Sequence, residues 1–340
     1  MKKIVFFLVC ALILLGVIAC DGIAEPVEEE GPLFVLLVDD QGLIEEGYND
    51  LAWQGFQKAE EDFGVRIEIV EAQSSEDYLP NIKQAVEKGA SLIVCNGSSM
   101  IEAVQEAATE YTSQAFAIID GKVEAPNVSC YTFTEEGAAF LAGVGAAAMS
   151  ETDIIGFVWD IQNQETEKFQ YGFEAGVESA NAASQVLINY TNLPDQELLC
   201  KETALAQNKL GVDVIFHGPG SCGAGVIQAS LDQNFWIIGM DKGQSILSPD
   251  KLLSVIVKGF DQAAYMAIEN FENGVSFGAQ YNFSLADGGV DLVDLSGNLT
   301  EEATATINNW KQKIIDEKIV VPYDASTFAQ FFMEQLMIEE

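Results

Sequence analysis

The residues best suited to chemistry are polar side chains that stand where short apolar runs end. They are Asp39, Asp40, Asn96, Asp120, Asp160, His217 and Asp241. Carboxylates and amides of this kind exchange hydrogen bonds with the hydroxyl and N–H groups of a polar ligand. Taken singly, each could instead cap the helix that follows it, because Asp and Asn are favoured at helix N-termini. Two series of such ends facing one another across a cleft favour ligand binding.

The elements that must position these side chains follow from the hydrophobic pattern. Short apolar runs alternate with amphipathic stretches of helical length, which indicates parallel sheets covered on both faces. Gly64, Gly89, Gly211 and Gly274 each end a helical stretch, where a left-handed residue is favoured. The predicted strands are 33–38, 65–70, 91–95, 115–119, 128–133, 154–159, 186–190, 212–216, 236–240 and 252–257.

The strands form two consecutive series, which predicts an α/β protein with two doubly wound, parallel-sheet lobes rather than one large sheet. In such sheets ligands bind outside the carboxyl ends of the strands, where the polar residues stand. Two late segments are expected to cross back between the lobes. The expected lobes are 33–134 with 259–283 and 135–258 with 284–322. The tail, 323–340, is left open between a docking helix and a disordered end.

The N-terminus predicts export. Two lysines precede an apolar run that ends in Val-Ile-Ala-Cys20, and the run is too short for a stable membrane span. The pattern predicts a signal peptide over 1–19 and acylation of Cys20, which anchors the chain on the extracytoplasmic face of the cell membrane. An ordinary cleaved signal, or a signal anchor with Cys20 incidental, is the alternative interpretation. Residues 20–32 form an acidic tether.

Composition narrows the class of partner. The formal net charge of −37 repels nucleic acid and anionic lipid, although the charge could be a general adaptation to solubility or salt. Arg66 is the only arginine in the sequence, which disfavours a phosphate site and favours a neutral or cationic ligand. With a single histidine, no metal site is expected. Disulfides remain open among Cys95, Cys130, Cys200 and Cys222.

One motif suggests a different class of function. The run Gly-Pro-Gly-Ser-Cys-Gly at 218–223 follows a predicted strand and opens a helix, formally like a dinucleotide fingerprint with Asp241 as its acid. Pro219 has no N–H to offer a phosphate, and the unit lies in the middle of an exported chain. Hydrolysis is also disfavoured, since His217 is the only imidazole and no Gly-x-Ser-x-Gly elbow is present. We therefore expect neither a cofactor nor an enzyme.

A longer, ordered set of motifs resembles a known family. The run Asp-Gln-Gly-Leu-Ile-Glu-Glu-Gly-Tyr-Asn-Asp-Leu-Ala-Trp-Gln-Gly at 40–55 is similar to the opening of the basic membrane protein (BMP) family of lipoproteins. That family includes the purine-nucleoside receptors of ABC transporters. The resemblance covers nearly all of 33–322. Further motifs match in order at 139–144, 169–176, 214–223, 238–244, 254–258 and 287–290.

The resemblance implies a type I periplasmic-binding fold, with a multi-stranded hinge, that closes on a nucleoside. Tyr48, in place of the usual Phe, and Phe169 would stack on the two faces of the base, and stacking is worth about 1–3 kcal/mol per base. Asn49 and Asp120 would contact base or ribose, and Asp241 with Lys258 would hold the ribose hydroxyls. The alternative is that the aromatic residues pack on the core and Lys258 is an exposed strand end. The ligand-binding residues implied are Asp40, Tyr48, Asn49, Asp120, Phe169, Gly220, Asp241 and Lys258.

The function expected from residues and resemblance together is that of a monomeric, lipid-anchored receptor that hands a nucleoside to an ABC permease. The chain departs from the family pattern near the cleft, including at Trp159 and Met240. A receptor for another small neutral ligand, such as a sugar or a furanose signal, is the main alternative. A dinucleotide-dependent enzyme is a distant one.

Overall fold

A computed structural model describes residues 31–193 and 196–338. The predicted signal peptide, Cys20 and most of the predicted tether lie outside the described residues. None of the helices described is long and apolar enough to cross a membrane. The strands are β1 (Leu33–Val38), β2 (Arg66–Glu71), β3 (Leu92–Asn96), β4 (Ala115–Ile119), β5 (Val128–Phe133), β6 (Ile154–Trp159), β7 (Gln185–Tyr190), β8 (Val214–His217), β9 (Trp236–Gly239), β10 (Leu252–Lys258), β11 (Gln280–Phe283) and β12 (Val290–Val293).

Helices occupy most of the segments between strands. They are α1 (Tyr48–Phe63), α2 (Tyr78–Glu87), α3 (Ile101–Glu110), α4 (Glu135–Met149), α5 (Gln164–Ala180), α6 (Glu197–Lys209), α7 (Gly220–Gln233), α8 (Gln244–Leu247), α9 (Phe260–Glu272), α10 (Glu301–Ile315) and α11 (Ala325–Ile338).

The strands form two six-stranded sheets. The first sheet has the order β11-β5-β4-β3-β1-β2, and all its strand pairs are parallel. The second has the order β12-β10-β9-β8-β6-β7, and only its edge strand β12 is antiparallel. The chain passes between the sheets after β5, after β10 and after β11. Two doubly wound lobes joined at several crossings confirm the predicted α/β class.

The bounds of the predicted strands agree closely with the pattern, and the largest difference among them has a local cause. The strand predicted to begin at Val212 begins at Val214 instead. The Val212 N–H donates to the carbonyl of Gln207, closing the end of α6, so it is not free to join the sheet. A left-handed φ of 102° at Gly211 turns the chain there, as predicted for a residue that follows a helix.

The helix α4 fixes the position of α5, which carries Phe169. Glycines let the two helices approach backbone to backbone. A Cβ at Gly143 would lie 2.1 Å from the carbonyl oxygen of Phe173, and a Cβ at Gly176 would lie 2.0 Å from that of Phe140. Any larger residue at either position must push the helices apart, since such distances are far below van der Waals contact.

The tail is resolved in favour of a docked helix. Helix α11 packs Phe328 against Tyr171 of α5, with ring centroids 5.4 Å apart. Phe331 is buried and lies 6.3 Å from Phe140 of α4. The helix therefore covers the side of α4 and α5 that the sheet leaves open.

The cysteine pairing left open by the sequence is resolved among these four residues. Cys200 in α6 and Cys222 in α7 form a disulfide with their Cα atoms 5.2 Å apart. Cys95 and Cys130 are buried free thiols. Burial raises the pKa of the Cys95 thiol to about 12, so it stays protonated and unreactive.

Candidate functional site

The carboxyl ends of the first sheet are held by a network of side-chain hydrogen bonds. Asp39, directly after β1, is buried and accepts bonds from the Tyr48 hydroxyl at 2.6 Å and the Asn49 amide at 2.9 Å. The Asn49 side-chain oxygen in turn accepts from the Asn96 amide, 2.8 Å away at the end of β3. Helix α1 thus presents its first two residues, Tyr48 and Asn49, to the ends of two neighbouring strands.

Tyr48 is fixed by both ends of its side chain. Its hydroxyl donates to Asp39, while its ring lies 5.5 Å from that of Phe260. Burial, reinforced by the Asp39 carboxylate, raises the pKa of Tyr48 far above its usual range, so the hydroxyl remains a donor. The ring is oriented before any ligand arrives.

Asp40 has a different setting from its neighbour. Its side chain is exposed, and its carboxylate accepts a 3.0 Å hydrogen bond from the Tyr78 hydroxyl in α2. Asp39, which the sequence marked only as a strand end, is the buried carboxylate that contacts Tyr48 and Asn49. Burial was the missing signal, since the two aspartates are equivalent in sequence.

The strand-end aspartates of the second sheet accept hydrogen bonds from backbone N–H groups of the loops that follow them. Asp160 accepts from the N–H of Ile161, whereas α5 is capped by the side chain of Asn163. Asp241 is half-buried and accepts from the N–H of Gly243 at 2.6 Å, and Gly243 is itself the N-cap of α8. Burial raises the pKa of Asp241, partly offset by that hydrogen bond. Capping of α5 therefore does not explain the carboxylate at Asp160, whereas Asp241 also accepts a hydrogen bond within the turn that opens α8.

Aromatic rings form a continuous stack beside these aspartates. Trp159 at the end of β6 stacks on Phe157 with centroids 4.9 Å apart, and on Phe169 of α5 at 5.2 Å. Trp159 is 2% exposed and Phe169 is 8% exposed. Trp159 therefore covers one face of the Phe169 ring. Trp159, which departs from the family pattern, thus packs against the Phe169 ring and supports it.

Gly220 is exposed and is the first residue of α7. A Cβ there would meet no atom within 4 Å, but its φ is +63°. The position therefore needs glycine for its backbone conformation and not for space. The turn that precedes it packs on the aromatic stack, because a Cβ at Gly218 would lie 3.0 Å from the Trp159 ring.

Lys258 joins the two sheets. At the end of β10 its ammonium lies 2.6 Å from Asp120 Oδ2, at the end of β4, and 3.3 Å from Glu135 Oε1, at the start of α4. Burial alone would lower the pKa of Lys258, but the two carboxylates outweigh it and the net shift is upward. In the described part of the chain Lys258 is paired with these groups and not with Asp241, its expected companion.

A second contact between the sheets lies at the rim. The Lys242 ammonium is 3.7 Å from a carboxylate oxygen of Glu46, which belongs to the loop before α1. A Cβ at Gly243 would lie 3.3 Å from the backbone oxygen of Glu45. Two separate contacts therefore bring the carboxyl ends of the sheets face to face, as ligand binding between lobes requires.

Sequence reasoning missed Glu135 and Phe260 as parts of this site. Glu135 follows β5 and Phe260 follows β10, so each lies where the chain leaves a sheet. Polar strand ends were the signal used, and both residues lie in the following helix instead. Among the described residues no cluster of His, Cys, Asp and Glu suited to a metal ion is present.

Comparisons with known proteins agree with this architecture. A sequence model of the Bmp family, described as "ABC transporter substrate-binding protein PnrA-like", matches residues 33–325. "Basic membrane protein D" of Borreliella burgdorferi (strain JD1) is 31% identical over 345 aligned positions, covering 98% of this chain and 99% of that protein. The "ABC transporter nucleoside-binding protein BmpA" of Lactococcus lactis subsp. cremoris (strain MG1363) is 28% identical over 311, covering 84% and 88%.

Solved structures are similar over the same span. The crystal structure of an ABC transporter solute-binding protein from Aeropyrum pernix K1 matches with a TM-score of 0.72 and 25% identity, covering 89% of this chain and 97% of that one. One from Conexibacter woesei DSM 14684 matches with a TM-score of 0.71. The predicted resemblance is confirmed: the chain belongs to the Bmp family of PnrA-like ABC transporter substrate-binding proteins.

Proposed function

We propose that this substrate-binding protein captures a nucleoside between its two sheets and delivers it to an ABC permease for import. The observation that carries the proposal is that oriented aromatic rings and hydrogen-bonding groups lie at the carboxyl ends of both sheets. Tyr48 stands beside Asp39 and Asn49 on one side, and Phe169 stands on the Trp159 ring on the other. A nucleoside needs this combination, because it joins a flat base to vicinal hydroxyls.

Roles follow from the chemistry of each group. Tyr48 and Phe169 stack on the base, and Asn49 and Asp120 contact the base or the ribose. Asp241 and Lys258 hold ribose hydroxyls through charge-assisted hydrogen bonds. Asp40 and Gly220 line the edges of the site. The relative named as a nucleoside-binding BmpA supports this assignment at 28% identity.

Titration calorimetry on the mature protein tests the ligand class. Adenosine, guanosine, inosine and uridine are compared with free ribose, and at least one nucleoside is expected to bind far more tightly than ribose. Tyr48→Ala and Phe169→Ala should each weaken that binding by about 1–3 kcal/mol. Ribose binding as tight as that of every nucleoside would refute the base clamp and favour a sugar receptor.

We propose further that the protein is a lipoprotein held on the extracytoplasmic face of the membrane through Cys20. The basic start, the apolar run and the final Val-Ile-Ala-Cys20 support this hypothesis. Cys20→Ser should abolish incorporation of labelled fatty acid and release the protein from the membrane fraction. Persistent labelling of that variant would contradict it.

A further inference from the structure

Glu135 lies where the chain crosses from the first sheet to the second. It is the first residue of α4, immediately beyond the passage that follows β5. Lys258, its partner, is the last residue of β10, immediately before the next passage. The two side chains therefore meet at the base of the cleft, where the lobes are joined.

The setting of the Lys258 ammonium is both charged and apolar. It bonds Asp120 Oδ2 at 2.6 Å and Glu135 Oε1 at 3.3 Å. The rings of Phe133 and Phe260 lie with their centroids 5.2 and 5.3 Å away. One ammonium thus faces two carboxylates and is flanked by two aromatic rings. The cluster carries a surplus negative charge, which favours a ligand that donates hydrogen bonds over an anionic one.

The second oxygen of Glu135 differs from the first, which contacts Lys258. The side chain is 7% exposed, and Oε2 is buried without a hydrogen bond from any of the described residues. A buried carboxylate oxygen without a donor is destabilising, and such groups are uncommon in folded proteins unless a ligand or water completes them. Burial accordingly raises the pKa of Glu135, an effect that the Lys258 charge opposes.

We propose that Glu135 is a specificity-determining residue of the nucleoside site. Through Oε1 it positions the ammonium of Lys258, and through Oε2 it accepts a hydrogen bond from a ribose hydroxyl. This inference rests on the proposed nucleoside-binding function and adds to it a further carboxylate and a requirement for a particular hydroxyl.

Glu136 provides a matched control. It is the next residue of α4, it is also a largely buried carboxyl whose pKa burial raises, and its side chain makes no hydrogen bond with Lys258. Glu136→Gln therefore repeats the chemical change of Glu135→Gln one position away. Both variants keep the shape of the side chain while removing its charge.

The test combines changes in the protein with changes in the ligand and measures each binding affinity by titration calorimetry. Wild type, Glu135→Gln and Glu136→Gln are titrated with inosine, 2′-deoxyinosine and 3′-deoxyinosine. Glu135→Gln should weaken inosine binding about tenfold or more, the effect of a charged hydrogen bond. The loss should largely vanish for one deoxy analogue, because the hydroxyl that Oε2 accepts from is already absent. Glu136→Gln should follow the wild type with all three ligands.

Equal losses with all three ligands, or no loss with any, would overturn the inference while leaving nucleoside binding intact. Failure of the wild type to bind any nucleoside would overturn the proposed function and this inference with it. If Glu135→Gln does not fold, Glu135→Asp keeps the charge but withdraws the oxygen atoms by one methylene. The same dependence on one hydroxyl is then expected, and its absence counts against the proposal equally.

Discussion

The carboxyl edges of the two sheets are organised in different ways. At the first edge the polar side chains bond to one another, with Asp39 accepting from Tyr48 and Asn49. At the second edge the aspartates bond to backbone N–H groups of their own loops, and stacked rings around Trp159 hold the surface. One half of the cleft is thus organised by shared hydrogen bonds and the other by packing.

The difference determines how each half should respond to change. At the hydrogen-bonded edge, replacing one residue destabilises the fold through its neighbour as well, because removing a donor leaves its acceptor buried and unpaired. Packed rings lose stability in proportion to the volume removed, whatever the polar groups nearby do. Variants at the two edges can therefore separate the two modes of organisation.

The largest effect is expected at the packed edge. Trp159→Ala should lower the free energy of unfolding by about 3–5 kcal/mol, because the residue is buried between Phe157 and Phe169. Urea denaturation followed by circular dichroism measures the loss. Trp236→Ala, at a half-buried tryptophan in β9, should cost clearly less. Equal losses would show that the stack does not organise this edge.

A pH-dependent effect of about 3 kcal/mol is expected from His217 at the end of β8. Burial lowers its pKa to about 4, and its Nδ1–H donates to the Gly218 carbonyl, leaving Nε2 buried and without a partner from the described residues. The unfolded chain takes up a proton below about pH 6.5, and the folded chain does so only near pH 4. Stability from the neutral imidazole is therefore present above 6.5 and lost as the pH falls through this window.

His217→Gln isolates the effect, because this is the only histidine in the sequence. Between pH 7 and pH 4 the wild type should lose about 3 kcal/mol more stability than the variant, while the carboxylates titrate alike in both. Urea denaturation of the two proteins across the range provides the measurement. Parallel profiles would mean that the imidazole is not held neutral by packing at this edge.

A smaller effect is expected at the hydrogen-bonded edge. Tyr48→Phe should cost about 1–3 kcal/mol of folding stability, because buried Asp39 loses a 2.6 Å donor. Tyr78→Phe is the control, since that hydroxyl donates to exposed Asp40, and it should cost less than about 1 kcal/mol. If the two variants unfold at the same denaturant concentration, the network does not couple the residues of this edge.

The sequence predicted most of the fold because buried parallel strands are continuous apolar runs. Strands β1, β4, β5 and β6 have the predicted bounds, whereas β11 and β12 were not predicted as strands. These two are edge strands with sequences such as Gln-Tyr-Asn-Phe, partly exposed and without an apolar run. Their place in the sheets depends on pairing with distant residues, which local pattern does not encode.

The positions of the candidate site residues were predictable to a similar extent. The apolar pattern placed Asp39, Asp120 and Asp241 just beyond the ends of strands, where the structure has them. The contact of Lys258 with Asp120 joins residues separated by 138 positions, and the pairing of Cys200 with Cys222 joins two helices. Both depend on how elements meet in space, so no spacing rule could have chosen those partners.

The passages between the sheets have a consequence for how the chain must fold. Thr132 in β5 bonds to Asn282 in β11, 150 positions later, and α9 packs on α1 so closely that a Cβ at Gly55 would lie 2.2 Å from the carbonyl oxygen of Asp261. A chain synthesised from its N-terminus cannot complete its first sheet until nearly all of it has been made. Such distant pairing slows folding, and neither lobe can be excised as one continuous fragment.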